Sequence, residues 1–446
     1  MSNDGESGVT ASETRADWPK LTVIAFMYMA QTFPAGFAAG LMPTLYREQG
    51  LALEKFWLFS LAIIPYWVRW AIAPVVDSYW SPRIGPRRSW FIPCTFIAVL
   101  AYMSLALFEP TEAYLFIIVG ILFVKSMFTA TQEVAIDAYV VDNVTKSERP
   151  TAAAMNTVFE AAGQFAALAG LAIVYDRFGW QVAVCVSALL MLVFITPAFF
   201  RKERVDKAQL QRAQEAREGG AAALIQPLVR FFRRRDSYII IPFVLAGGLY
   251  TGLMFPMVGP FLIDLGFGVG EIGAMVGTVL LAATVLGSLS SARLVGRLGE
   301  RRLMFVLMVA IIPATLPVAY LAFTKAAISA PVAILVTFLP FFVLSMFYVT
   351  FVNLRLGYAS ALQAGTDYSI GSAISRIGQT IAAAIGGFIA AWSGWAGFFL
   401  VAALFGIGAM WLCWFTHARL QRLIEERNHS EQAGAAPAGI GEPALN

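Results

Sequence analysis

Arg83-Ile84-Gly85-Pro86-Arg87-Arg88 returns 214 residues later as Arg297-Leu298-Gly299-Glu300-Arg301-Arg302. Gly163-Gln164 returns as Gly378-Gln379, and Gly179-Trp180 as Gly394-Trp395, each 215 positions on. Matching offsets over that distance mark two related halves. Both copies lie among long apolar runs. Internal repeats in a polytopic membrane chain point to a solute carrier whose site lies between the repeats.

Composition supports the membrane reading. Of the 446 residues 59% are hydrophobic and 13% charged, and the mean hydropathy is +0.69. The apolar material falls into blocks of about 20 residues, the length that crosses a hydrocarbon core about 30 Å thick. Twelve blocks are expected, at 21–46, 55–76, 89–109, 113–141, 151–175, 180–200, 238–265, 268–293, 303–324, 331–356, 366–392 and 394–416. They are too long for membrane strands, which excludes a β-barrel. The sequence therefore predicts an all-α membrane protein with two pseudo-symmetric six-helix bundles, 21–200 and 238–416. A tail at 1–20, a linker at 201–237 and a disordered tail at 417–446 complete the expected organisation.

No basic, apolar and small-residue leader pattern opens the chain, so no removable signal peptide is expected. Cys94, Cys185 and Cys413 fall in separate apolar runs, which offers neither a disulfide framework nor metal-ligand spacing. His417 and His429 both follow the last block, so imidazole chemistry inside the membrane is not expected. Of the 32 basic residues, Arg47, Lys55, Arg177 and Lys325 fall on one side and Arg69, Lys125 and Arg376 within blocks, leaving 25 on the side of the termini and linker. The positive-inside rule places that side, with both termini, in the cytoplasm. The net charge of +4 arises there and is no nucleic-acid footprint. Within the linker, 221–235 reads as a basic amphipathic segment along the membrane surface or a solvated spacer. Asn143-Val144-Thr145 fits a glycosylation sequon by chance, given its expected cytoplasmic position.

Six ionisable residues lie well inside the blocks: Arg69, Lys125, Glu133, Asp137, Glu160 and Arg376. Each would cost about 2.5–3.5 kcal/mol at the centre of a lipid-facing helix. Together that exceeds the net stability of an ordinary fold, about 5–15 kcal/mol. They must therefore face protein or a wet cavity. Glu160, ten residues past Pro150, lies about 15 Å deep, and Arg376, nine past Asp367, matches it in the other half. Asn156, Glu160 and Gln164 make one polar stripe; Ser369, Ser372, Arg376 and Gln379 make its counterpart. An ion pair joining the halves and a role in handling cargo or protons both fit. Thr129, Glu133 and Asp137 share a face of the fourth block, with Lys125 a turn above. Acids held away from bulk water exchange protons, so Glu133, Glu160 and Asp137 are the coupling candidates; a salt-bridged helix contact is an equal reading for Asp137. Tyr66 and Trp67 place aromatic surface beside Arg69, with Trp57 reading as an interfacial residue. The cargo candidates are Arg69, Arg376, Tyr66, Trp67, Gln164 and Gln379.

Asp77 with Arg83, Arg87 and Arg88, and Arg301 with Arg302, stand at short loops where bases can bind helix C-terminal carbonyls and a nearby acid, a gating latch. Plain topogenic charge is the alternative. Asp77 with Gly85-Pro86-Arg87-Arg88 resembles the loop between spans two and three of the major facilitator superfamily, as do twelve spans split by a long central loop. The spacing between acid and basic turn is stretched, and Ser290 and Ser291 stand near the expected acid of the second half. Ala130-Thr131-Gln132-Glu133-Val134-Ala135-Ile136-Asp137-Ala138-Tyr139 resembles the span-four signature of the AmpG and acetyl-CoA transporter-like branch, with Glu133 for the usual Asp. Gln31-Thr32-Phe33-Pro34-Ala35-Gly36-Phe37 and Arg88-Ser89-Trp90 resemble the RhtX/FptX siderophore importers. The resemblance implies a carrier of the bacterial inner membrane that imports an iron-siderophore by alternating access; the acids within the blocks add proton symport to that expectation, and a monomer without cofactor or metal is expected. A muropeptide or another amphipathic anion is the alternative cargo. A membrane enzyme lacks converging catalytic groups in the blocks, and a non-transporting sensor is disfavoured by six retained charges.

Overall fold

The computed structural model describes residues 17–144, 148–201, 203, 205, 210, 214, 218, 228–324, 329–358 and 364–435. All regular structure among them is helical. The first spans are α1 (Trp18–Glu48), α2 (Leu53–Ala73), α3 (Arg88–Leu107) and α4 (Glu112–Val140). A helical run from Arg149 to Phe200 is broken by left-handed Gly179 into α5 (149–178) and α6 (180–200). The second half holds α7 (Ser237–Asp264), α8 (Val269–Leu298), α9 (Glu300–Thr324) and α10 (Ala330–Gly357). Left-handed Gly394 divides the last run into α11 (364–393) and α12 (395–435). Among the described residues, ten continuous apolar helices are long enough to cross a membrane; two of them, broken in this way, each supply two, in line with the twelve blocks expected.

The left-handed glycines record the duplication. Gly50 and Gly266, Gly85 and Gly299, and Gly179 and Gly394 all have positive φ, at offsets of 216, 214 and 215 residues. Each stands at a turn between spans, in a conformation disfavoured for an L side chain. The paired Gly-Trp motif is thus a turn with an anchor. Trp180 Nε1 donates to the carbonyls of Leu105 (3.1 Å) and Phe108 (2.7 Å) at the end of α3.

The same symmetry sets the helix crossings. A Cβ on Gly163 would stand 2.8 Å from the Met29 carbonyl of α1; one on Gly378 would stand 2.6 Å from the Leu245 carbonyl of α7. Small residues let backbones touch, which is how helices associate in lipid without a hydrophobic drive. The α1–α5 and α7–α11 pairs are also clamped at their charged ends. Lys20 Nζ lies 2.5 Å from Glu148 Oε2, and Arg234 pairs with Asp236 and Asp367.

The two halves meet on the side away from the linker, the far side. There Thr44 packs on Gly259, Ala169 and Ala172 on Gly277 and Gly273, and Leu53 on Gly387. Arg47 closes this face with a two-pronged bond to Asp264 (2.7 and 2.8 Å), which also accepts from Trp395 Nε1 at 2.7 Å. One apolar core containing Phe37, Tyr46, Phe261 and Phe399 unites both halves. A separate core of Leu21, Tyr28, Phe91 and Tyr139 belongs to the linker-side end of the first half.

Two features differ from the sequence reading. The last helix continues to Ala435, through the start of the tail expected to be disordered. His417 and Leu420 are buried there and Ile424 packs against the core, so an apolar stripe persists among the charges. In the linker, Phe231 is buried in the core that spans both halves, which fastens 228–235 to the protein. The rest of the proposed amphipathic segment, residues 1–16, Thr145 of the sequon and 436–446 lie outside the described residues.

Candidate functional site

The second span is not a continuous α-helix. Tight turns at Leu53–Lys55 and Ile64–Val68 flank a short α turn, with Pro65 opening the second. Proline removes an N–H and breaks the helical ladder, and such irregular backbone is tolerated in a membrane only where it faces protein or water. Tyr66, Trp67 and Arg69 project from this stretch. Across from them, Glu133 and Asp137 stand one turn apart on α4.

Arg69 forks onto both acids, with Nη1 3.1 Å from Glu133 Oε2 and Nη2 2.7 Å from Asp137 Oδ2. The surroundings change sharply over that turn. The Glu133 side chain is 5% exposed and that of Asp137 49% exposed. Asp137 is nearer the linker-side end of α4, so the exposed part of the fork lies toward that side. Gln31 of α1 faces Glu133, and Gln132 donates from Nε2 to Thr95 Oγ1 at 2.7 Å, fixing α4 on α3. Lys125 is 2% exposed, with its ammonium 5.6 Å from the Tyr102 ring centroid.

The second half supplies the opposite wall. Arg376 lies with its guanidinium carbon 5.6 Å from the Tyr66 ring centroid, and the Tyr66 hydroxyl is 2.9 Å from Thr129 Oγ1. Cation–π contact holds a guanidinium in place without neutralising it. Glu160 lies within electrostatic reach of Glu133, Asp137, Arg69 and Arg376, and Glu133 within reach of both arginines. Nearer the linker side, Arg355 donates from Nη2 to the Tyr368 hydroxyl of α11 at 3.1 Å. It also lies against the Phe351 and Tyr368 rings.

The expected residues thus converge, but with different partners. The ion pair considered between Glu160 and Arg376 is replaced, among the described residues, by the Arg69 fork, because the irregular backbone of α2 brings that guanidinium to both acids. Trp67 spans the halves, donating from Nε1 to Thr380 Oγ1 at 3.0 Å. Gln164 and Gln379 stand at the helix crossings; a Cβ on Gly252 would be 2.5 Å from the Gln379 carbonyl. In sequence Arg355 is merely a base ending a span, and only its aromatic neighbours in space distinguish it.

At the linker-side loops, Arg87 pairs with Asp77 and Asp142, the latter at 2.9 Å, and Arg88 reaches the Phe199 carbonyl. Glu203, inconspicuous in the sequence, accepts from the backbone N–H groups of Arg87 (2.9 Å) and Arg88 (3.0 Å). Arg83 is exposed. In the second half Arg301 donates to the Trp414 carbonyl at 3.2 Å and Arg302 is exposed.

Solved structures share this architecture. The nucleoside transporter NupG superposes with a TM-score of 0.66 at 11% identity, over 92% of this chain and 99% of its own. A D-xylose-proton symporter gives 0.68 at 12% identity, over 89% and 97%. In sequence, the anhydromuropeptide permease of Escherichia coli K12 is 24% identical over 65% of this chain. That alignment covers 58% of the permease, little more than half its length. A Rickettsia prowazekii protein named for the AmpG transporters (AmpG 3) is 22% identical over 78% of this chain and 84% of its own. The family model described as Major Facilitator Superfamily matches residues 24–366. With a duplicated, all-helical fold and charged side chains from both halves converging between them, the chain belongs to the Major Facilitator Superfamily of secondary transporters.

Proposed function

We propose that this carrier moves an amphipathic anion of the anhydromuropeptide kind across a bacterial inner membrane, driven by protons. The observation that carries the reading is the Arg69 fork on Glu133 and Asp137, facing an Arg376 whose guanidinium lies against the Tyr66 ring and makes no ion pair or hydrogen bond among the described residues. Arg376 can take a cargo carboxylate, whereas Arg69 is occupied. A proton on Glu133 loosens the fork and lends Arg69 to the same anion. Loss of that proton through the wetted Asp137 restores the fork and expels the cargo. The basic residues on the linker side support placing it, with both termini, in the cytoplasm. The cavity is built from the two halves of one chain, which suits a working monomer.

The iron-siderophore cargo expected from the importer resemblance gives way here to the muropeptide alternative, which matches the name of the Escherichia coli relative. The decisive experiment uses liposomes with an imposed pH gradient and labelled anhydromuropeptide. The native protein accumulates it. Glu133→Gln keeps exchange of cargo across the membrane but loses accumulation against a gradient. Arg376→Gln weakens apparent affinity about 30-fold, the equivalent of about 2 kcal/mol for a lost charged hydrogen bond. Uptake of a ferric siderophore without the muropeptide overturns the cargo; undiminished accumulation by Glu133→Gln removes that acid from coupling.

A further inference from the structure

The two copies of the repeated basic loop differ in one respect that the sequence does not show. In the first half the Glu203 carboxylate fills the space above Gly85, where a Cβ would stand 2.6 Å from Oε2. It satisfies the first N–H groups of α3 beside Arg87 and Arg88. In the second half the space above Gly299 is open, with no described atom within 4 Å of a Cβ placed there. A cleft of about 580 Å³ lies here, lined by Gly299, Glu300, Arg301, Arg302, Trp414 and His417 among others. His417 is only 7% exposed, and its buried Nδ1 has no hydrogen-bond partner among the described residues. The first N–H groups of α9 have no partner within their own helix.

The geometry points to an external anion in the place that Glu203 holds in the first half: the phosphodiester of an anionic phospholipid, bound between Arg301, Arg302 and His417. The cleft sits where α8, α9 and α12 leave the apolar layer, at the depth of lipid headgroups, and Trp414 marks that interface. Glu300 also lines it, but two guanidiniums outweigh one carboxylate. Basic pockets between membrane helices on the positively charged side hold such headgroups. Phosphate oxygens also suit helix N-terminal N–H groups.

The full chain in nanodiscs of phosphatidylcholine with a minor fraction of phosphatidylglycerol provides the test, by counting lipids retained after transfer to detergent. The native protein retains phosphatidylglycerol selectively. Arg302→Gln reduces that retention about five-fold and Arg301→Gln with Arg302→Gln further, while Arg83→Gln, an equal loss of charge at the filled loop, leaves it unchanged. Equal losses from Arg83→Gln and Arg302→Gln reduce the effect to general surface charge and overturn the site. Inorganic phosphate raising the thermal midpoint in pure phosphatidylcholine discs, with no selective lipid retention, assigns the cleft to a free anion and overturns the lipid. Detergent midpoints within about a degree of native show that Arg302→Gln remains folded, since surface substitutions of this kind stay within about 0.5 kcal/mol.

Discussion

Glu203 connects the linker to the basic loop through two backbone hydrogen bonds. Burial raises its carboxyl above the ordinary value of 4.5, and bonds to the Arg87 and Arg88 N–H groups only partly offset this. The folded chain therefore holds this proton more tightly than the unfolded chain. The stability so gained is complete below about pH 4.5 and is lost as pH rises through the raised value. Glu203→Gln cannot titrate, so its deficit relative to the native protein is widest at about pH 4 and narrows by about pH 7. Thermal midpoints in detergent at the two pH values measure this; a gap that widens with pH contradicts it. At this scale the clustering of the charges is legible in the sequence, since Arg69, Glu133, Asp137, Glu160 and Arg376 lie near one another in space. Their pairing is not, because Arg69 and its two acids are separated by 64 and 68 positions and meet only through the broken backbone of α2. Glu203 is hidden among the charges of a linker.

Helix crossings carry the duplication more faithfully than the loops do. Gly252 of α7 meets the Gln379 backbone so closely that Gly252→Ala puts a methyl 2.5 Å from its Cα. Overpacking of that kind costs about 1–3 kcal/mol, so the thermal midpoint of Gly252→Ala falls. Gly408→Ala, in open space on α12, holds or rises because alanine favours helix by about 1 kcal/mol. A drop equal to that of Gly252→Ala would show that the close crossing is not what matters. The repeats Gly163-Gln164 and Gly378-Gln379 are visible as sequence, and the crossings explain their spacing. The length of α12 is not visible, because the buried His417 and Leu420 and the half-buried Ile424 are sparse among polar neighbours.

Across the whole molecule, the far side is closed by contacts between the halves, and the exposed Asp137 lies toward the linker side. Arg47 and Asp264 join the halves only in this arrangement if the bundles rock about the central cavity. Arg47→Cys with Asp264→Cys is expected to be bridged by a short, reducible bis-methanethiosulfonate reagent and to lose transport, with thiol reduction restoring it. Full transport by the bridged protein means that the far side need not part. The twelve crossings and their division are plain in hydropathy and repeat offset, whereas which side stands open is a property of packing between halves that no periodicity encodes. The charge on the two cavity walls has a further consequence. Glu133, Asp137 and Glu160 outnumber Arg69 and Lys125 on the first half, while Arg355 and Arg376 line the second. The walls behave like the plates of a charged capacitor. Work is needed to part them when empty, and under the proposed mechanism either a proton on one plate or an anion on the other partly discharges the field, so both would relax the same spring.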